Sequence, residues 1–496
     1  LAREKIAKTT PTDESIVGEM PETKPDVYFI CMDGYGRQDI LKEIYDYDNS
    51  AFIDFLKERN FWVADESFSN YCQTLLSLGA TFNLNYIDSL GDFDPGSYDR
   101  LPLAEMFWDN EVFRQFKSRG YSNVVFSSGY TFTEFENADK YFASAWAISE
   151  FNNILLATTP LPLLLYNEKS LFDSHRKRVN YILNKLPEIY EVGSPKFMFA
   201  HILCPHPPFV FDADGQNVQV ERTFSFEDGS HYMNNGGSVE EYLRCYKAQI
   251  SYITARLRET IKKIFDNYGD NPPVIIIEAD HGPGSGLSWV GMDKTNLVER
   301  FSILNVVYLP GIDPAIDYRH FSPVNTFRLL FDLYFKTDFG LLPNHSYYTT
   351  WAHPYNFREV TRIINPTAYD ARDFIKSPVT DYARVSRPQK QGTKFNAEGC
   401  CLVGDEGVII SSLPSDHSDH LEISVDHDDG YVLYFRKDTT LSALVNVVPK
   451  RIESGGLRVD TLIVPEPARQ KDYDNILVSP YAGDGRYSLG HLRFIK

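Results

Sequence analysis

The sequence predicts an α/β fold, a mostly parallel central sheet with helices on both faces, followed by a C-terminal all-β sandwich or jelly roll. Three observations carry this. From Asp26 to Tyr334 strand-like apolar runs alternate with helical patterns, the order that builds a parallel sheet through crossover helices. The runs are nearly continuous in apolar residues, as strands buried on both faces must be. After about Arg387 helical periodicity gives way to short alternating runs parted by glycine turns.

The first strand is VYFICM, ending at Met32, and later runs are NVVFSS from Asn123, KFMFAHI from Lys196, VIIIEA from Val274 and ILNVVYL from Ile303. Between them the 3.6-residue pattern predicts helices over Ala51 to Arg59, Val112 to Arg119, Ser174 to Leu186, Val239 to Phe265 and Val324 to Phe335. Ser238 with Glu241 three residues on forms a capping box at the start of the long one. The C-terminal runs LEISVD, YVLYFR, LRVDTLIV and YSLGHLRFI fit the sandwich or jelly roll. The domains expected are a linker over 1–25, a catalytic domain over 26–390 and a β domain over 395–496.

At 496 residues the chain exceeds the roughly 250 to 300 at which one core stops growing, so two domains are expected. Hydrophobic content of 43% is ample for packed cores and excludes overall disorder. A net charge of -19 opposes any sequence-independent hold on nucleic acid, and an anionic substrate would need local positive charge, most simply a divalent cation. The longest apolar stretch, Ile154 to Tyr166, carries Pro160 and Pro162 and falls short of the roughly 18 residues of a membrane span. The chain opens at Leu1 with a polar, proline-bearing lead, which predicts that a segment upstream was removed. Six cysteines without paired spacing exclude a disulfide scaffold.

In open α/β sheets ligands collect beyond the carboxyl ends of the strands. Three strand ends supply polar residues there: Asp33-Gly34 after the first, Asp280-His281-Gly282 after the Val274 strand, and His201 running into Cys204-Pro205-His206-Pro207-Pro208. Carboxylate and imidazole together suit zinc or manganese, with calcium and magnesium less favoured. Asp33, Asp280 and His281 leave room for a fourth ligand, and a hydroxyl held by a cation becomes a nucleophile. Ser67 to Asn83 offers Thr74, where a polar stretch enters a small, apolar helical pattern. There backbone N–H groups would face a phosphoryl or sulfuryl oxygen. Thr74 or Ser69 as a plain helix cap is the structural alternative. Cys72 competes as nucleophile, but a thiolate suits a softer ligand set than carboxylates provide.

Together these motifs resemble the alkaline phosphatase superfamily from Asp26 to about Tyr355. FSILNVVYLPG and the SPVNTFRLLFDLYF helix look most like its sulfatase-like branch of lipoteichoic acid synthases and phosphoethanolamine transferases. The resemblance implies one divalent cation on Asp33, Thr74, Asp280 and His281, and a covalent phospho-enzyme on Thr74. It also gives His206, and after it His201, as contacts to the leaving group or acceptor. It further implies a phospholipid-derived or other phosphodiester donor, a glycan acceptor, an extracytoplasmic site, and membrane attachment through the missing N-terminal segment.

Two departures narrow the reaction. Cys72-Gln73-Thr74-Leu75-Leu76 lacks the proline and arginine a formylglycine sulfatase needs, and no Asp-x-x-x-His closely follows the Lys196 strand, leaving His201, His206, His345 and His353 as the pool for any second metal. Lys294, Arg300 and Arg37 are candidates to balance charge on the transferred group. His417, His420 and His427 lie among acidic residues of the β domain, where hairpin loops explain them more simply. The competing functions are a sulfate ester hydrolase or phosphodiesterase, and an inactive glycan-binding surface protein.

Overall fold

The computed structural model describes residues 24–135, 138–144, 168–218, 223–312 and 318–364, and beyond these 375–378, 401–403, 408–411, 420–426, 430–437, 440–447, 457–471, 473–482 and 487–495. The chain divides into two compact units between Phe357 and Arg358. The linker expected over 1–25, save its last residues, the apolar stretch over 154–166 and the boundary expected between 390 and 395 lie outside the described residues.

In the first unit β1 (Val27–Met32), β2 (Trp62–Val63), β3 (Ser122–Phe126), β4 (Lys140–Phe142), β5 (Lys196–Ile202), β6 (Val274–Glu278) and β7 (Asn305–Tyr308) form one sheet in the order β2-β7-β6-β1-β5-β3-β4. The five strands from β6 to β4 run parallel, and β7 and β2 add antiparallel pairs at one edge. Helices α1 (Ser50–Lys57), α2 (Thr74–Phe82), α3 (Glu111–Ser118), α4 (Glu168–Lys185), α5 (Val239–Tyr268) and α6 (Thr326–Phe335) cover it. The period of two along β1 sorts them into layers. Tyr28, Ile30 and Met32 face a core shared with α1, α4 and α5, while Val27, Phe29 and Cys31 face one shared with α2, α3 and α6.

Helix ends follow local chemistry. At the start of α5 the Ser238 hydroxyl accepts from Glu241 N at 3.1 Å, as the capping box predicts. The helix runs a turn past Phe265, through polar residues that hide its periodicity, and stops at Gly269, whose φ is +56°. The Val324 helix begins as a 3₁₀ turn, Pro323–Asn325, so α6 proper starts at Thr326.

Beneath the sheet, Lys196 Nζ lies 2.5 Å from Asp26 Oδ2, both side chains buried. Asp26 also accepts from Ser194, Tyr268 and the Lys196 backbone. Truncating one partner leaves a buried charge unmatched, so Lys196→Met is expected to cost about 3–5 kcal/mol. Urea unfolding followed by tryptophan fluorescence reads this unit selectively, because every tryptophan lies before Arg358. An unchanged midpoint would rule out the pair as a stabilising element.

In the second unit five strands pair in the spatial order Ile375–Pro378, Val408–Ser411, Asn475–Ala482, Gly430–Lys437, Thr440–Val447, and four in the order Cys401–Val403, Tyr487–Ile495, His420–Asp426, Leu457–Ile463. Leu421, Ile423 and Leu492 of the smaller sheet share one core with Leu433, Phe435 and Val478 of the larger, the sandwich its alternating pattern predicts. Among the described residues no helix is long and apolar enough to cross a membrane.

Candidate active site

Because β5, β1 and β6 are adjacent and parallel, their carboxyl ends deliver three loops to one place. The chain leaves β1 through Asp33 and turns at Gly34, whose φ of +71° favours glycine. Asp33 N bonds Ile202 O at 3.0 Å, His206 N bonds Asp33 O at 3.1 Å, and Gly34 N bonds Asp280 Oδ1 at 3.3 Å. These bonds lock the first, third and second predicted loops together.

Thr74 is the first residue of α2, preceded by Gln73 in extended backbone, so it does not occupy the capping position itself. Its Oγ1 lies 3.2 Å from His281 Nε2. Around the same nitrogen stand Asp280 Oδ2 at 3.3 Å and Asp33 Oδ1 at 3.5 Å. Both carboxylate oxygens are buried without a hydrogen-bond partner. His281 Nδ1 sits 3.0 Å from Gly282 O, a carbonyl that accepts only if Nδ1 carries the proton, which turns the Nε2 lone pair towards the oxygens. Burial, then the Arg300 charge, holds this imidazole below its ordinary value and neutral. Lone pairs thus converge with little beyond the threonine proton between them. Such a cluster is costly as it stands and fits a divalent cation. Gly282 is required here, because a Cβ would fall on the carbonyls of Glu299, Ser302 and Arg300.

The other two histidines divide. His206 lines the pocket, with Nδ1 2.5 Å from Pro207 O and Nε2 3.6 Å from Asp228 Oδ2. Burial opposes charge on His206, but the carboxylates of Asp33 and Asp228 outweigh it and raise its pKa. His201 is wholly buried behind Asp33 and does not line the pocket. Its Nδ1 lies 2.9 Å from Thr133 Oγ1 and its Nε2 3.2 Å from Asp33 Oδ2. Among the described residues two sets of side chains have ligand atoms close enough for one ion: Asp33, His206 and His281, and behind it Cys31, His201 and Asp280. Neither contains His345, which packs on Tyr86 and Tyr347, or the exposed His353.

Of the three candidate charge-balancing cations only Arg300 lines the pocket, bonded to Asp228 Oδ2 at 2.6 Å and to Cys72 O at 2.9 Å. Arg37 turns back on Asp39 and stacks over Phe68, and Lys294 is exposed. Cys72 is buried with Sγ 3.4 Å from Thr349 O and lies outside the pocket lining, so it does not compete with Thr74. His417 and His427 lie outside the described residues; His420 opens an exposed end of its strand.

Sequence reasoning missed Asp228, which joins His206, Arg300 and Tyr242, and the wall of Arg100, Tyr130, Trp289 and Trp351 around a pocket of about 300 Å³. It also missed how α5 braces the site. Tyr242 OH bonds Asp228 Oδ1 and Gly284 N, Tyr246 OH bonds Gly34 O and Gly36 N, and the Gln249 amide bonds Pro205 O, His206 O, Val210 N and Phe211 N. A tyrosine at i and i+4 and a glutamine at i+7 was the available signal, since polar side chains on the core-facing stripe need partners.

Among solved structures the chain is similar to the C-terminal periplasmic domain of phosphoethanolamine transferase EptC from Campylobacter jejuni, at 12% identity over 63% of this chain and 90% of that one, with a TM-score of 0.40. It is similar to the soluble domain of lipooligosaccharide phosphoethanolamine transferase A from Neisseria meningitidis, at 14% identity over 66% and 93%, TM-score 0.41, and to a 2-O GAG sulfatase, at 14% over 67% and 74%, TM-score 0.40. No curated protein sequence matches it. The family model described as Sulfatase matches residues 25–329, well over half of the chain. The chain therefore belongs to the sulfatase family.

Proposed function

We propose that this enzyme transfers a phosphoryl group through a covalent intermediate on Thr74, moving phosphoglycerol or phosphoethanolamine from a phospholipid-derived donor to a cell-surface glycan. The observation that carries this reading is the convergence of Thr74 Oγ1, Asp33, Asp280 and His281 at the mouth of a helix N-terminus, with the carboxylate oxygens unpartnered. Those four residues would hold one divalent cation, zinc or manganese by their mixed oxygen and nitrogen donors. When bound, such a cation supplies Lewis acidity, lowering the pKa of a nearby hydroxyl and neutralising charge on the transferring group.

The chain's own groups do the rest. Deprotonated Thr74 Oγ attacks phosphorus, the bond from phosphorus to the donor oxygen breaks, and His206 Nε2–H protonates the leaving oxygen. The carboxylates of Asp33 and then Asp228 raise the pKa of His206 and so favour the protonated form that step uses. In the second half an acceptor hydroxyl gives its proton to His206 and attacks phosphorus, and the bond to Oγ breaks. Arg300 is fixed by Asp228 and lends positive potential to the pocket. The apolar side chains of Leu75, Leu103, Leu203 and Phe132 in the lining suit a lipid-bearing donor. In this reading the enzyme works outside the cytoplasm, attached to the membrane by a segment beyond those described.

Phosphatidylglycerol and phosphatidylethanolamine, offered in detergent with zinc or manganese, test this. Diacylglycerol release and a mass gain on the Thr74 peptide are the expected results. Turnover of small sulfate esters with none of phospholipid would replace the transferase reading by a sulfate ester hydrolase. The buried Cys72 and the missing proline and arginine count against a formylglycine version of that alternative.

His201 orients Asp33 and does not touch substrate. His201→Ala is expected to weaken metal binding by about 10- to 100-fold, and His201→Gln, which keeps a donor, by less. Activity titrated against free zinc should recover at saturation with KM for donor unchanged. A raised KM at saturating metal would instead make His201 a substrate contact.

A further inference from the structure

Arg100 stands in the pocket wall with a charge that the chemistry above leaves unused. Its Nη2 donates to Gln73 Oε1 at 2.9 Å and to Trp351 O at 2.6 Å, and its guanidinium lies 4.2 Å from the centre of the Trp351 ring. All three partners are neutral. Nε and Nη1 have no hydrogen-bond partner, and the guanidinium no carboxylate within ion-pair distance, among the described residues. Arg300 is the opposite case, its charge matched by Asp228 at 2.6 Å.

The setting makes this more than a surface charge. Gln73 immediately precedes Thr74, and its own amide is fixed by Thr349 Oγ1 at 2.6 Å and Thr350 O at 3.1 Å, so Arg100 is tied to the start of the nucleophile's helix. Trp351 beneath the guanidinium is braced by Trp289 at 5.4 Å between ring centres. The guanidinium is thus held through Nη2 and the Trp351 ring while its Nε–H and Nη1–H donors stay unpaired, so a carboxylate, phosphate or sulfate can accept from them with little side-chain entropy left to lose. A partly buried cation without a counter-ion costs stability, in a chain that has 68 acidic residues with which to supply one.

We propose that Arg100 recognises a second anionic group of the substrate, distinct from the ester that reacts at Thr74, so that the pocket selects reactants carrying two negative centres. This rests on the reading that Thr74 receives an anionic ester. The second group belongs either to the non-displaced arm of the donor or to the acceptor, and the two arms of one experiment separate these sources.

In the first arm, 4-nitrophenyl phosphodiesters bearing a 2-carboxyethyl or a propyl group are compared. In the second, methyl glucuronide and methyl glucoside compete to discharge the phospho-enzyme. The protein is the full chain with zinc. In one arm the charged compound should be favoured in kcat/KM by roughly tenfold to a hundredfold, the range of a charge-assisted hydrogen bond. Arg100→Gln should bring that ratio close to unity and Arg100→Lys should keep part of it. No preference in either arm, or a preference that survives Arg100→Gln, overturns the proposal. Calorimetric titration of the same four compounds into Thr74→Ala reads binding without turnover. A charge preference there that vanishes in the Thr74→Ala, Arg100→Gln double variant supports Arg100 even if wild type turns nothing over, a result that would count against the Thr74 chemistry alone.

Discussion

Thr74→Ala is expected to lower turnover of a phosphodiester by roughly 10⁴-fold or more, because it removes the atom on which the covalent intermediate forms. The loss should be chemical rather than structural. Among the described residues the Thr74 hydroxyl has one hydrogen-bond contact, His281 Nε2 at 3.2 Å, and the residue lies at the open first turn of α2, where alanine is well tolerated. Thr74→Ser, which keeps the hydroxyl and loses a methyl, should retain a measurable part of the rate. Initial rates with bis(4-nitrophenyl) phosphate, together with intact mass after rapid quenching, check both points. A Thr74→Ala enzyme as fast as the wild type would take this residue out of the reaction.

Asp280→Asn should produce opposite signs with and without metal. In chelator the variant is expected to melt at a higher temperature than wild type, because a buried carboxylate whose Oδ2 faces only another lone pair loses its charge, and the new amide can donate to His281 Nε2. With zinc at 100 times its Kd the wild type gains about 2.7 kcal/mol by mass action, and the variant gains little. Nearby Glu278 shows how strained this corner is: burial, against a hydrogen bond from Thr326 and with the charge of Asp280, pushes its carboxyl up to about 8. Thermal melts with and without zinc, paired with elemental analysis, decide the matter. Equal zinc content and an equal Tm rise in both proteins would exclude Asp280 as a ligand.

Why some of this site was legible in the chain and some was not comes down to sequence distance. Asp33, Asp280 and His281 directly follow apolar runs, and a parallel sheet sends all such ends to one side. Thr74 was marked by the passage from polar residues to a small, apolar helix. Asp228 lies in Phe226-Glu227-Asp228-Gly229, a loop without periodicity, and its meaning comes from Arg300, 72 residues away. Arg100 and Trp351 meet across 251 residues. Arg37 and Arg300 look like equal candidates in one dimension, and only the fold separates them, since Asp39 captures the first locally. The strands and most helices were readable because burial enforces their periods; the ends of α5 and α6 shifted where polar residues or a proline broke the pattern.

Tyr242, Tyr246 and Gln249 tie the loops after β1, β5 and β6 to a single rod. The half of the pocket that handles protons therefore moves as one body and tolerates little drift. Arg100 and Trp351 line the same pocket from other segments, with Arg100 bonded to Trp351 and to Gln73. Evolution can thus rewrite which molecule is admitted while leaving the reaction intact, and chains of this lineage that keep Thr74 yet handle different cargo should differ first at Arg100 and Trp351.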